Sequence, residues 1–180
     1  VNVNDGASVT ADAIGAQAFN LGAGSANVNV GDGATVDGSA APGLLGVGIG
    51  ALDLGQGGAN VTVGDNSQVL ANGGDAFSFG IGAASLFSGV GNPAADVNVT
   101  VGENTVVDAT GAGTLGVGIG AAKIQGQGDI NIAVGEGSTV TGEHLAVAAF
   151  GGSIGADNDV NITNAGTLTS NQAGGAPFGA

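Results

Sequence analysis

The sequence predicts an all-β fold, a single parallel β-solenoid, and three observations support this prediction. One motif returns six times: an alternating apolar pair, a turn of small and acidic residues, and a second short strand. Valine and isoleucine alternate with polar or very small residues, which is the period of a strand and not of a helix. The segments between motifs are rich in Gly, Ser, Ala and Asn, as loops are. One such repeat cannot bury its own apolar face, whereas stacked copies can.

Six coils are predicted from the positions of this motif. They start near residues 1, 28, 61, 99, 130 and 160, span 27 to 38 residues each, and form one domain over 1–180 with the last coil incomplete. The copies read VNVNDGASVT, VNVGDGATVD, VTVGDNSQVL, VTVGENTVVD, INIAVGEGSTVT and VNITNAGTLTS. A second motif, such as LLGVGIGALDL from Leu44, predicts a third strand in each middle coil.

Stacking is expected to place equivalent residues in columns. Three columns form the predicted core: Val28, Val61, Val99, Ile132 and Val160; then Val3, Val30, Val63, Val101, Val134 and Ile162; then Val9, Val36, Val69, Val107, Val140 and Leu168. Third-strand residues add Val47, Phe79, Val117 and Val147 beside Ile49, Ile81, Ile119 and Ala149. A column of Asn27, Asn60, Asn98, Asn131 and Asp159 predicts amide side chains that hydrogen bond from coil to coil.

These coils, rich in Gly, Ala, Asn and Thr with almost no Lys or Arg, resemble the right-handed β-helices of bacterial surface proteins. That group includes autotransporter passengers, filamentous-haemagglutinin-like adhesins and β-solenoid matrix fibres. The resemblance covers the whole chain and implies an extracellular or bacterial cell-surface location. It also implies right-handed coils, as the crossover rule for parallel strands does.

Composition excludes several functions. Fifteen acidic side chains stand against one Lys and no Arg, giving a net charge of −14. Nucleic-acid binding is excluded because nothing would hold the phosphates. The absence of Cys removes disulfides, thiolate metal sites and thiol nucleophiles. No apolar run approaches the roughly 18 residues that span a bilayer, so no membrane insertion by this segment is expected.

A glycine-rich flank is predicted on the third strands. If Val47 and Ile49 point into the core, the glycines that alternate with such residues face outward and leave a nearly bare surface. Its residues are Gly46, Gly48, Gly50, Gly80, Gly82, Gly116, Gly118 and Gly120. One interpretation is a packing face for another subunit. The other is that a stack held by its core columns simply tolerates small residues.

An acidic column is predicted at the turn two residues after each core anchor. It contains Asp5, Asp32, Asp65, Glu103 and Glu136, followed by Asn164 in the last coil. Either this is a solvated edge whose carboxylates bind backbone N–H groups of the turn, or Ca²⁺ bridges neighbouring coils. No other cofactor is expected.

Catalysis is not expected. β-Helices host pectin lyases and polygalacturonases, but this chain has no Arg, a single Lys123, and no Trp or Tyr to stack on sugars. His144 follows Glu143 directly, and adjacent strand residues face opposite ways, so the two make a poor catalytic pair. A partial Thr-x-Thr array is broken in the middle coils, which leaves ice binding as a minor alternative.

The chain begins on strand residues and stops before a third strand of the last coil. Either it is excised from a longer solenoid, or subunits stack end to end through Val1, Val3, Val160 and Ile162, because open strand edges are templates for pairing. We therefore expect a non-enzymatic structural protein whose partner is itself, forming an extracellular filament or biofilm-matrix fibre. The alternative is a rigid stalk segment of an adhesin or autotransporter passenger.

Overall fold

The computed structural model describes residues 1–39, 43–87, 95–111, 115–152 and 158–171, and all regular structure in these ranges is β. The strands pair only in parallel and build three sheets that run along one stack. The predicted parallel β-solenoid of about six coils is confirmed. No helix in the described ranges is long and apolar enough to cross a membrane.

Each coil contributes one strand to each sheet, except that the last coil contributes none to the third sheet in the described ranges. Sheet A contains β1 (Asn2–Val3), β4 (Ala26–Val30), β7 (Ala59–Val63), β10 (Val97–Val101), β13 (Ile130–Val134) and β16 (Val160–Asn164). Sheet B contains β2 (Ser8–Thr10), β5 (Thr35–Asp37), β8 (Gln68–Leu70), β11 (Val106–Ala109), β14 (Thr139–Gly142) and β17 (Thr167–Ser170). Sheet C contains β3 (Ile14–Asn20), β6 (Gly43–Asp53), β9 (Gly74–Ser85), β12 (Leu115–Lys123) and β15 (Leu145–Gly151).

The turn between sheets A and B requires a left-handed residue directly after its acidic residue. That position has a positive φ in five coils: Gly6 at 62°, Gly33 at 65°, Asn66 at 55°, Asn104 at 50° and Gly137 at 71°. Glycine and asparagine are the residues that adopt this conformation at low cost. The recurring Asp-Gly, Asp-Asn, Glu-Asn and Glu-Gly pairs are therefore set by backbone geometry.

The core columns of sheets A and B follow the predicted register over the first five coils. Val28, Val61, Val99 and Ile132 stack in one column, and Val36, Val69, Val107 and Val140 are completely buried in another that continues to Leu168. Burying a valine stabilises the fold by about 1.5–3 kcal/mol, so these columns supply much of the stability.

The predicted register of the last coil is wrong by two residues in sheet A. Ile162 pairs with Ile132, Val160 pairs with Ile130, and Val134 faces Asn164. The cause is a shorter turn, because two residues separate β16 from β17 whereas four separate β13 from β14. The predicted register was counted back from the turn, so the shorter turn displaced the predicted pairing of β16 by two residues. Equivalent residues of successive coils are 27, 33, 38, 33 and 30 positions apart.

Sheet C departs from the predicted strict alternation. Ile49, Ile81 and Ile119 are completely buried, as predicted. The glycine before each isoleucine also faces inward, because a Cβ on Gly80 would lie 2.5 Å from Cγ1 of the buried Val107. Two consecutive residues, the glycine and the isoleucine, thus point to the core. The alternation of inward and outward residues therefore reverses at this point of the strand.

Alternation places two residues on the N-terminal side of that reversal wrongly, whereas Val117 is buried as predicted. Val47 and Phe79 lie on the outer surface rather than in the core. In the fifth coil the register also differs by two residues, since Val117 pairs with Leu145 and Ile119 with Val147. Ala149 accordingly continues the column of Ala121, not that of Ile119.

Candidate interaction surfaces

The acidic column forms hydrogen bonds between coils. Oδ1 of Asp5 accepts the backbone N–H of Asp32 at 3.2 Å, Oδ1 of Asp32 accepts that of Asp65 at 2.9 Å, and Oδ1 of Asp65 accepts that of Glu103 at 2.8 Å. Each carboxylate thus fixes the equivalent residue one coil further along. The predicted N–H-binding role is present, but its donor belongs to the next coil and not to the same turn.

The glycine before each acidic residue makes room for this bond. A Cβ on Gly64 would collide with Oδ1 of Asp32, and one on Gly102 would collide with Oδ1 of Asp65. The Val-Gly-Asp sequence therefore encodes contact between coils. Asn164 does not continue the column, since its Oδ1 accepts the N–H of Gly166 in its own turn.

Calcium at this column stays a prediction. In the described ranges no three His, Cys, Asp or Glu side chains are grouped closely enough to hold a metal ion. Glu136 lies at the same turn of its coil, and the backbone N–H of Asn104 donates to its carbonyl oxygen at 2.9 Å. The bonds to backbone N–H groups give the aspartates of the column a structural role that needs no cation.

A ladder of asparagine amides crosses sheet A. Nδ2 of each residue donates to Oδ1 of the asparagine in the preceding coil, at 2.8 to 3.0 Å, along Asn27, Asn60, Asn98, Asn131 and Asn161. The last member is Asn161, so the prediction of Asp159 is wrong by the same two-residue shift. Asp159 belongs instead to a second aspartate column, where its N–H donates to Asp129 at 3.0 Å and the N–H of Asp129 donates to Asp96 at 2.9 Å.

The predicted glycine flank is divided between two sides of sheet C. Gly50, Gly82 and Gly120 face outward, where an added Cβ would meet only ordinary or slightly tight contacts. Gly48, Gly80 and Gly118 face inward against valines of sheet B, which contradicts the predicted orientation. Gly46 and Gly116 are buried, and a Cβ on Gly116 would lie 2.6 Å from the carbonyl oxygen of Ala109. The inward glycines let sheets B and C approach closely.

The outer side of sheet C carries large apolar side chains instead of a bare flank. We call it the apolar face. Its exposed or half-buried apolar members are Ile14, Phe19, Leu45, Val47, Leu52, Phe77, Phe79, Ala84, Leu115, Ala122, Ala148 and Phe150. Gln17, Gly50, Gly82 and Gly120 lie between them. Phe19 and Phe150 are 54% and 62% exposed, so these rings project into solvent.

A groove of about 420 Å³ crosses the apolar face. The column of Gly50, Gly82 and Gly120 forms its floor, and Phe79 and Phe150 stand on its two sides. The sequence carried a signal for this surface that was missed. In the third-strand motifs, apolar residues or glycine occupy the positions on both sides of the predicted strand, so neither side is polar. The Phe residues at 19, 77, 79 and 150 all lie in strands of sheet C.

The terminal strands of the stack expose core-type side chains. Val160 is 45% exposed, Ile162 is 49% exposed and Leu168 is 38% exposed, because no further strand among the described residues pairs with β16 or β17. At the opposite end Val1 is 54% exposed, whereas Val3 is buried. The four predicted end residues therefore lie in the two edge strands of sheet A or beside them.

Lys123 is completely buried inside the stack. Its Nζ donates to the carbonyl oxygen of Ala95 at 2.7 Å. Desolvation lowers the pKa of Lys123 below its ordinary value, and this effect is partly opposed by the negative charges of Asp96, Asp53 and Asp129. The side chain is thus part of the interior and offers no positive charge to a partner.

His144 and Glu143 both act on the backbone of the preceding coil. Nδ1 of His144 accepts the N–H of Gly116 at 3.1 Å, and Oε2 of Glu143 accepts the N–H of Gly111 at 3.1 Å. They lie directly before β15, outside the strand. These contacts assign them to coil stacking.

Comparisons with known protein families, with curated proteins and with solved structures find no match for this chain. The resemblance to bacterial surface solenoids stays a prediction.

Proposed function

We propose that the protein is a structural subunit that associates end to end, through its terminal strands, into an extracellular filament or matrix fibre. The observation that carries this proposal is that, in the part of the chain that the structure describes, β16 and β17 each have one edge without a partner strand, with Ile162 and Leu168 exposed there. Parallel edges of this kind present a row of free N–H and C=O groups that a further strand satisfies. A contact between unlike ends does not close and therefore propagates.

The columns of the stack define the register of this contact. Asn2 belongs to the column of Asn29, Thr62, Thr100, Ala133 and Thr163, and Val9 belongs to the column that ends at Leu168. Continuing both columns sets Thr163 opposite Asn2 of the next copy and Leu168 opposite its Val9. The exposed leucine would then be buried against a valine, as in every other coil.

The charge at the ends favours the same contact. The acidic column stops before the last coil, whose turn is Ala165 and Gly166. An end-to-end junction therefore brings Asp5 of one copy against an uncharged turn of the other. Two carboxylates about 5 Å apart would instead repel by roughly 1 kcal/mol in water.

Negative-stain electron microscopy of the purified chain without added calcium tests the proposal. We expect long filaments of uniform width, and we expect Ile162→Asp to abolish them while its circular dichroism spectrum stays that of the wild type. Thr100→Asp is the matched control, because it adds the same charge to the outer side of an interior strand of sheet A, away from both ends, and should leave the filaments unchanged.

Small monodisperse particles at all protein concentrations, with and without calcium, would overturn end-to-end association. A monomer of that kind would favour the stalk function, in which the solenoid separates a distal domain from the cell surface.

A further inference from the structure

We propose that the apolar face is a homotypic interface, at which two copies of the chain pack with the outer sides of their C sheets together. This contact is lateral and involves none of the terminal strands. It therefore adds to the proposed function without depending on it, and it would pair two filaments side by side.

Charge favours a second copy as the occupant. The chain has a net charge of −14, so two copies repel wherever their acidic columns meet. Among the described side chains of sheet C, the charged ones, Asp53 and Lys123, are completely buried inside the stack. Over the described side chains of the apolar face, two copies thus meet without opposing carboxylates. A basic partner would be drawn to the acidic columns instead.

The size of the face matches what a stable dimer needs. Five strands spaced about 4.8 Å apart give a width of about 24 Å, and strands of roughly nine residues give a length of about 30 Å. The face therefore covers about 700 Å², and a pair of copies would bury about 1,400 Å² in total. Stable interfaces bury about 1,200–2,000 Å².

The shape of the apolar face is complementary to the same face of a second copy. Beside the groove floor of Gly50, Gly82 and Gly120 runs a column formed by Phe19, Leu52, Ala84, Ala122 and Phe150. On the other side of that floor lies the column that contains Val47 and Phe79. A two-fold axis parallel to the stack, midway between the floor and this column, lies near the middle of the strands and brings the whole face of each copy against that of the other. Phe79 then lies over Gly82 of the second copy, Phe77 lies over its Ala84, and both stacks run in the same direction.

Sedimentation equilibrium in an Ile162→Asp background tests the interface, because that change is designed to remove end-to-end association. We expect a species of twice the 16.6 kDa monomer mass. Ala84→Glu, on the middle strand of the apolar face, should weaken the dimer at least about 100-fold by burying two like charges, with an unchanged melting temperature. Thr100→Glu, on the outer side of sheet A, adds the same charge and should leave the dimer intact.

A monomer at about 100 µM protein in the Ile162→Asp background would overturn the homotypic interface whether or not the parent chain forms filaments. Binding of that monomer to phosphatidylcholine vesicles, lost in Ala84→Glu, would assign the face to a lipid surface and overturn it as well. Filaments that fail in the parent chain while the dimer persists would overturn only the end-to-end proposal.

Discussion

Gly80 packs directly against Val107, since a Cβ built on Gly80 would lie 2.5 Å from Cγ1 of Val107 and 2.6 Å from the carbonyl oxygen of Gly118. Gly82, two residues further along β9, faces the groove, and its added Cβ would meet no atom closer than 4.0 Å. The two glycines thus form a matched pair on opposite sides of one strand.

Gly80→Ala is expected to lower the free energy of unfolding by about 2–3 kcal/mol, because the backbone of Gly118 cannot move aside without disturbing two coils. Gly82→Ala should change it by less than about 0.5 kcal/mol. Urea denaturation of both variants measures the difference. Equal effects would show that Gly80 does not face the core.

Asp65→Ala should cost about 1 kcal/mol of folding stability, because the N–H of Glu103 loses its acceptor. Asp65→Asn keeps an acceptor oxygen at the same place, so it should cost less than about 0.5 kcal/mol. Thermal and urea unfolding of the two variants separate the hydrogen bond from the charge. A larger loss in the asparagine variant would show that the negative charge itself is what stabilises the turn.

Asn98→Asp should destabilise the fold by about 2 kcal/mol. Nδ2 of Asn98 donates to Asn60 at 2.8 Å, and the substitution places a carboxylate oxygen against that amide oxygen. Thr100→Asp, on the same outer side of β10 but outside the ladder, is the control and should stay within about 0.5 kcal/mol. If both variants lose the same stability, added charge and not the amide ladder explains the effect.

Alkaline pH should stabilise the protein through Lys123. Burial lowers the pKa of this group from 10.5, so between its folded value and about 10.5 the unfolded chain binds more protons than the folded one. Stability therefore rises with pH across that window and levels off above it.

The composition makes this experiment unusually clean. The chain has no Tyr, Cys or Arg and a single Lys, so Lys123 is the only side chain that titrates between about pH 9 and 11. Urea unfolding at several pH values in this range should show the rise in the wild type and its absence in Lys123→Met. A wild-type stability that falls with pH would contradict the lowered pKa.

Sheets A and B could be predicted because their strands obey simple rules. The valine alternation sets which side is buried, and the left-handed residue after Asp32 or Asp65 marks each turn. Register failed only where the turn after Asn164 lost two residues, since a column inferred from aligned motifs assumes turns of equal length.

The strands of sheet C were predicted correctly, but its outer side was predicted to be a bare glycine flank and is the apolar face. In GVGIG every second residue is glycine, which carries no side chain to indicate which way it faces. The reversal of inward and outward alternation between Gly48 and Ile49 therefore cannot be recognised from the sequence. Whether Gly48 faces Val69 depends on how closely two sheets approach, and that distance is a property of the assembled stack. The apolar face was hidden by the same ambiguity.

Strands that pair in this fold belong to successive coils, so paired residues are 27 to 38 positions apart in the sequence. The entropy of closing a loop depends on that separation and not on the number of coils already formed. Duplicating one coil of the gene would therefore lengthen the rod by about 4.8 Å without making any contact harder to reach during folding. Growth by tandem duplication and tolerance of loops of unequal length are built into the same arrangement.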